Sequence, residues 1–317
     1  MEFVQVAEQL KKVKSNMERV IIGKGEVIEL VLTVLLAKGN VLLEDVPGTG
    51  KTMLSKSLAK SLNGEFHRIQ FTADLLPSDV TGLHFFNQQK GEFVLQKGPV
   101  FTNILLADEI NRATPRTQSS LLECMEEKQV TLDGETLALQ APFFVIATEN
   151  PVETTGTFPL PEAQLDRFMM KISVGFPKFE EELVMMERFM NGNPYEELQA
   201  VLSIEELLEM QKMVGKVHVE REVMEYLLRI VEATRQNRKL RLGVSPRGTL
   251  AFLRASQAYA ILKGRGYVIP EDVKYLAPFV LEHRLIMAGS YVGDSERGNF
   301  ISGLLKEISV PTENFPK

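Results

Sequence analysis

The sequence predicts an α/β fold, a parallel sheet between helices followed by a small all-α domain, and three observations carry that expectation. Between Gly39 and Phe176, short apolar runs (NVLLED, FHRIQF, NILLADE, FFVIATEN) alternate with stretches of helical periodicity such as KTMLSKSLAKSL. The runs are nearly continuous in Val, Ile, Leu and Phe, as strands buried on both faces of a parallel sheet require. Functional groups are then expected where those strands end. Beyond Phe176 and Pro177 the strand signals stop and helical spacing takes over.

Taken in order, the N-terminal stretch MEFVQVAEQLKKVKSNMERV reads as an amphipathic helix. It lacks the apolar core and cleavage site of a signal peptide, so retention in the cytoplasm is expected. The longest apolar run, Leu30 to Ala37, is far shorter than the roughly 20 residues a membrane span needs. Asn87 to Gly91 and Asp133-Gly134 are turn-rich pieces between residues of strand type, and Asp-Gly is a hairpin signal. Such hairpins either decorate an α/β core or carry function. In the helical half, Val223, Leu227, Ile230 and Val231 recur at helical spacing, Ser245-Pro246 starts a helix, Gly264 stops it and Pro270 opens another. These signals divide the chain into an α/β unit with hairpin inserts, residues 1–190, and a helical unit, residues 195–317. The junction is near Gly192-Asn193-Pro194 or, alternatively, near Phe176-Pro177.

Composition narrows the function. A chain of 317 residues with 44% hydrophobic and 25% charged residues holds at least one full core, and its length suggests two domains. Its net charge of −6 opposes nonspecific attraction to DNA or anionic membranes, so nucleic acid is not an expected partner. The single cysteine, Cys124, excludes an intrachain disulfide and reads as a small core residue. His67, His84, His218 and His283 are scattered, unlike a metal site.

The chemistry-bearing motif is NVLLEDVPGTGKTMLSKSLAK, a buried-strand pattern, then Pro47-Gly48-Thr49-Gly50-Lys51-Thr52, then a helical pattern: the context of a P-loop. Gly48 and Gly50 let backbone N–H groups curl toward phosphates, the helix N-terminus adds positive dipole, and Lys51 reaches the outer phosphates. Thr52 offers its hydroxyl to Mg²⁺. The strict pattern has glycine where this chain has Asp45, a carboxylate that disfavours phosphate. A second apolar run ends in Asp108 and Glu109, suited respectively to holding hydrated Mg²⁺ and to polarising an attacking water. A third ends in Thr148, Glu149 and Asn150, whose amide can orient that water against the γ-phosphate or simply form a turn. Arg167 in LPEAQLDRF and Arg247 in VSPRGTL could stabilise charge that spreads over phosphoryl oxygens in the transition state.

PGTGKT, LLADEINRA, ATENP and LPEAQLDRF, in this order and spacing, resemble the AAA+ ATPases, and the longer strings DEINRATPRTQSSLLECMEEKQVTLDGE and NPVETTGTFPLPEAQLDRFMMKI resemble the MoxR family in particular. The resemblance runs from about Ile21 to Ala288 and implies a P-loop AAA+ core followed by a helical lid. It implies that Pro47, Gly48, Thr49, Gly50, Lys51, Thr52 and Met53 form and follow the Walker A loop, and that Asp108 and Glu109 form Walker B. Asn150 then resembles sensor one, Arg167 the arginine finger, Arg247 sensor two, and Val20 to Gly23, with Ile22 and Gly23, the segment beside the adenine. The cofactors implied are ATP and Mg²⁺. A finger that serves a neighbour implies a homo-oligomeric ring, commonly hexameric, and Arg247 serves either its own site or a neighbour's. The family also implies a chaperone-like motor with a partner bearing a von Willebrand factor A domain. Two alternatives stay open: a DNA-dependent AAA+ motor, for which Lys90 and Lys97 are sparse, and a low-turnover nucleotide switch, which Asp45 favours.

Overall fold

The computed structural model describes residues 2–44, 46, 48–150, 156–190, 192–288 and 294–311. Helix α1 (Phe3–Glu18) turns Val6, Leu10, Val13 and Met17 inward at intervals of three and four residues, the stripe that helical periodicity produces. α2 (Gly25–Leu36) is buried at every residue from Leu30 to Leu36, so the longest apolar run is a core helix. β1 (Val41–Glu44) then leads through a glycine-rich turn to α3 (Lys51–Ser61), and β2 (Phe66–Gln70), α4 (Pro77–Thr81) and the hairpin β3 (Gly82–Asn87) and β4 (Glu92–Lys97) follow. β5 (Ile104–Asp108), a 3-10 turn at Ile110–Arg112 and α5 (Pro115–Glu127) lead to a second hairpin, β6 (Gln129–Leu132) and β7 (Glu135–Ala138). β8 (Phe144–Glu149), α6 (Glu162–Leu165) and β9 (Met170–Ile172) complete the α/β part.

Among the described residues, the main sheet has the order β2-β5-β8-β1-β9, and every pairing in it is parallel. All five strands therefore point their C-terminal ends to one edge. β1, β5 and β8, each with a neighbour on both sides, are buried along nearly their whole length. β2 departs from the expected double burial: it is one of the two edge strands of this sheet, and its Arg68 and Gln70 are exposed. The Asp133-Gly134 turn has both residues at positive φ, 49° and 86°, which suits the twist of a tight hairpin. His84 of β3 bonds Asp133 at 2.9 Å, tying the two hairpins together.

The second half contains α7 (Phe179–Met190), α8 (Ile204–Met213), α9 (Arg221–Gln236), β10 (Leu240–Leu242), α10 (Pro246–Leu262), α11 (Pro270–Leu281), β11 (Ile286–Met287) and α12 (Asp294–Glu307). Ser245 caps α10, its hydroxyl accepting from Gly248 N at 3.0 Å, and Gly264 ends the helix region at φ +77°. The all-helical expectation needs one correction, because β10 and β11 form a small antiparallel pair. Both strands are too short to leave a readable alternation.

Hydrophobic residues gather on both sides of the sheet. One core joins α1, α2 and α3 to residues of α8 through α12, so the helical half shares a continuous interior with the first helices. The other packs α5 and Phe168 against the opposite face and includes Cys124. Burial pushes the Cys124 thiol up to about 12, which keeps it protonated and unreactive. A thiol reagent at pH 8 should therefore leave the folded protein untouched and titrate one equivalent after unfolding. Rapid labelling of the native chain would contradict this placement. Among the described residues, no helix is long and apolar enough to cross a membrane.

Candidate nucleotide site and arginine cluster

β1 delivers the chain to the C-terminal edge of the sheet, where Gly48 and Gly50 both sit at φ +87°, a conformation that favours glycine. An added Cβ at either would meet nothing within 4 Å, so the turn borders open space. Gly50 is the N-cap of α3, which leaves the amides of Lys51, Thr52 and Met53 without intrahelical acceptors and directed at that edge. Lys51 Nζ donates to Val46 O at 3.1 Å, folding the side chain back over the turn. Thr52 is partly buried in the first helical turn, and Met53 packs against the core. Pro47 and Asp45 lie outside the described residues.

The acidic pair sits two strands away at the same edge, at the end of β5. Asp108, only 9% exposed, accepts from Arg68 Nη2 at 2.7 Å and from the Thr148 hydroxyl at 2.7 Å. The same hydroxyl accepts from Glu109 N at 2.8 Å, so Thr148 of β8 locks together the backbone and side chain of the two acids. Glu109 adopts φ 56°, an unusual left-handed geometry that turns its carboxylate away from the strand line. There Gln70 Nε2 donates to it at 2.6 Å and Arg112 Nε pairs with it at 2.9 Å. Asn150, 4% exposed, follows the end of β8 beside this group.

Thr148→Val tests the lock. Val keeps the shape but strands a buried acceptor on Asp108 and the Glu109 amide, which costs about 1–3 kcal/mol. Urea unfolding should show a lower midpoint at unchanged slope; an unchanged midpoint would remove Thr148 from this role.

The Ile22-Gly23 turn lies at the same edge by a different route. β9 runs parallel to β1, so Phe176 emerges where the phosphate turn does, and Lys24 Nζ donates to Phe176 O at 2.8 Å. Gly23, at φ +74°, is covered by the Glu181 carboxylate of α7, which a Cβ there would strike.

The two arginines are elsewhere. Arg167 and Arg247 line one cavity with Gly39 and Asn40, which precede β1, placing them at the N-terminal edge of the sheet. A four-residue strand separates that edge from the phosphate turn by about 13 Å at 3.3 Å per residue. Both arginines pair with the Glu126 carboxylate, and Arg167 Nη1 also donates to Leu122 O at 3.0 Å. Asp166 supports both segments, accepting from the Ser245 hydroxyl at 2.8 Å and from Arg284 Nε at 2.7 Å.

The residues fit a nucleoside triphosphate with a divalent cation. Gly48, Gly50, Lys51 and the first amides of α3 form an electropositive cradle bordering open space. Among the described residues no group of three or more His, Cys, Asp or Glu could hold a metal alone. The Thr52 hydroxyl and the Asp108 carboxylate are oxygen donors of the kind a divalent cation takes together with water and phosphate oxygens.

Sequence reasoning did not single out Arg68, Gln70, Arg112, Glu126, Asp166 and Arg284. Arg68 and Gln70 carried a signal, since residues two apart share one face of a strand. The partners of Arg167 and Arg247 had none, because they meet only through the fold.

The chain is similar to known proteins over nearly its whole length. Residues 40–170 match the family model of the ATPase family associated with various cellular activities, AAA, and residues 232–298 match an AAA lid domain. Chaperone MoxR1 of Mycobacterium tuberculosis is 40% identical over 96% of this chain and 83% of its own. The uncharacterized Bacillus subtilis protein YeaC is 52% identical over 88% of this chain and 87% of its own. A solved structure of a Cytophaga hutchinsonii protein superposes with a TM-score of 0.90 at 39% identity, covering 98% of this chain and 97% of that one. With the AAA family model and the lid model both matched, and a MoxR chaperone 40% identical over 96% of this chain, the chain belongs to the MoxR family of AAA ATPases and is an ATP-hydrolysing enzyme.

Proposed function

We propose that the chain hydrolyses Mg·ATP as a ring of identical copies, and that the ring remodels or assembles protein partners in the manner of a chaperone. The observation that supports the ring is the separation of the phosphate turn and the arginine cluster to opposite edges of one sheet. A chain cannot bring Arg167 to its own γ-phosphate across β1, whereas a head-to-tail neighbour can, and head-to-tail contacts that rotate to closure make rings. Residues 1–190 then act as the nucleotide unit and residues 195–317 as the lid.

In this reading the α3 amides and Lys51 bind the phosphates, Ile22 and Gly23 flank the base, and Thr52 and Asp108 would hold Mg²⁺. The ion, when bound, neutralises phosphate charge. Glu109 takes the proton of the attacking water, Asn150 orients that water, and Arg167 with Arg247 of a neighbour stabilises the oxygens of the transferred group. Glu109 is already engaged by Gln70 and Arg112, and Asp108 by Arg68, which favours slow turnover until those contacts are released.

Exposed Phe85, Phe86 and Phe93 on the β3–β4 hairpin favour a protein partner over DNA, since net charge opposes the latter. A von Willebrand factor A domain is the partner the family implies, and the naming of the Mycobacterium relative as a chaperone supports the role. Action in the cytoplasm suits a chain with one buried thiol. The test is steady-state Mg·ATP hydrolysis against protein concentration. Specific activity should rise and then saturate as copies assemble; a flat profile in a monomeric protein would sink the ring.

A further inference from the structure

We infer that Glu126 is a positioning residue that gathers Arg167 and Arg247 into one two-arginine unit for a phosphate held by another copy; this rests on the ring reading above. Arg167 comes from the segment before β9 and Arg247 from the first turn of α10, and no element joins them directly. Glu126, in the last turn of α5, pairs with Arg167 through Oε2 and with Arg247 through Oε1, one oxygen for each guanidinium. Two guanidiniums brought this close repel, and the single carboxylate between them offsets that repulsion. The result keeps net positive charge, and Lys38, Lys128 and Arg254 line the same cavity of about 480 Å³.

The backbone of both segments is fixed separately, which isolates the role of Glu126. Asp166, next to Arg167, accepts from the Ser245 cap of α10, and Arg284 donates to Asp166 and to the Phe168 carbonyl. These contacts set where the two Cα atoms sit. Glu126 sets where the two guanidiniums point. Arg167 still has donors to give, because its contacts with Glu126 and with Leu122 O are both made through Nη1. An arginine has five N–H donors, so pairing with Glu126 and Leu122 leaves enough for an incoming oxyanion.

A placeholder role makes the opposite forecast. If Glu126 merely occupied the arginines until a phosphate displaced it, its removal would speed hydrolysis. If it aligns them, removal slows hydrolysis, because small misplacements of a transition-state group cost as much as about 100-fold.

The experiment is kcat and ATP affinity for Glu126→Gln and Glu126→Asp in the assembled protein, with Glu127→Gln as the neighbouring control. Glu126→Asp keeps the charge but is one methylene too short to hold both arginines, and it covers the case in which the Gln variant fails to fold. Both variants are expected to lose about 10- to 100-fold in kcat while binding ATP as the parent does, because their own phosphate turns are intact. The loss should be non-additive with Arg247→Ala, since either change breaks the same unit. Unchanged or raised kcat in the folded variants, or losses that simply multiply, would overturn the role of Glu126. Full activity in Arg167→Ala would instead overturn the shared-site reading beneath it. An inactive Arg167→Ala beside fully active Glu126 variants fails this proposal alone.

Discussion

Arg167→Ala is expected to lower kcat by about 10³-fold or more, the range that an arginine supplied to a phosphoryl transition state contributes. ATP binding by the isolated chain should be unchanged. The contrast follows from placement: Arg167 lies at the N-terminal edge of the sheet, one strand length from the turn that carries Lys51. A group that distant contributes nothing to a chain's own ground-state complex, but in an assembly it meets charge that develops only during transfer. Nucleotide binding measured with a fluorescent ATP analogue, beside turnover, separates the two effects. A parallel loss of affinity and rate in the monomer would place Arg167 at its own site.

The second large effect belongs to Glu109→Gln. Removing a positioned base costs about 10²–10⁴ in rate, and the amide should leave ATP bound but unhydrolysed. Gln also weakens the contact with Arg112, whose charge now faces a neutral group. Retained binding with residual turnover below one-hundredth would match the role given to Glu109. Turnover within a few-fold of the parent would move the base elsewhere.

How much of this was legible in the sequence depends on how local each feature is. The strand, glycine turn and helix around Gly48 to Thr52 are contiguous, so periodicity and turn chemistry reveal them together. The apolar runs of β1, β5 and β8 are central strands, and their near-continuous hydrophobicity marks them as such. β2 looked similar but lies at the edge, and its polar face is what brings Arg68 and Gln70 to the two acids. The spacing of Arg68 and Gln70 marks one polar face of β2, but its place at the sheet edge depends on the order in which distant strands pair. The small β10–β11 pair escaped for the opposite reason, being too short for any period to show.

The arginine cluster marks the limit of the sequence reading. Arg167 and Arg247 were recognisable through the strings that carry them, but their joint attachment to Glu126 links α5, the approach to β9 and the start of α10. Asp166 and Arg284 likewise meet only after α11 has packed beside β9. These contacts need the completed fold, and they determine on which edge of the sheet the arginines can act.

The most direct measurement is ATP hydrolysis by a mixture of Lys51→Ala chains, which lack their own phosphate grip, and Arg167→Ala chains, which lack the arginine. Each is expected to be inactive alone. An active site shared between copies restores hydrolysis on mixing, because an Arg167→Ala chain binds ATP and a Lys51→Ala neighbour supplies the missing arginine. Inactivity at every ratio, with the two variants shown to assemble together, would mean that each chain must use its own arginine and that the shared site does not exist.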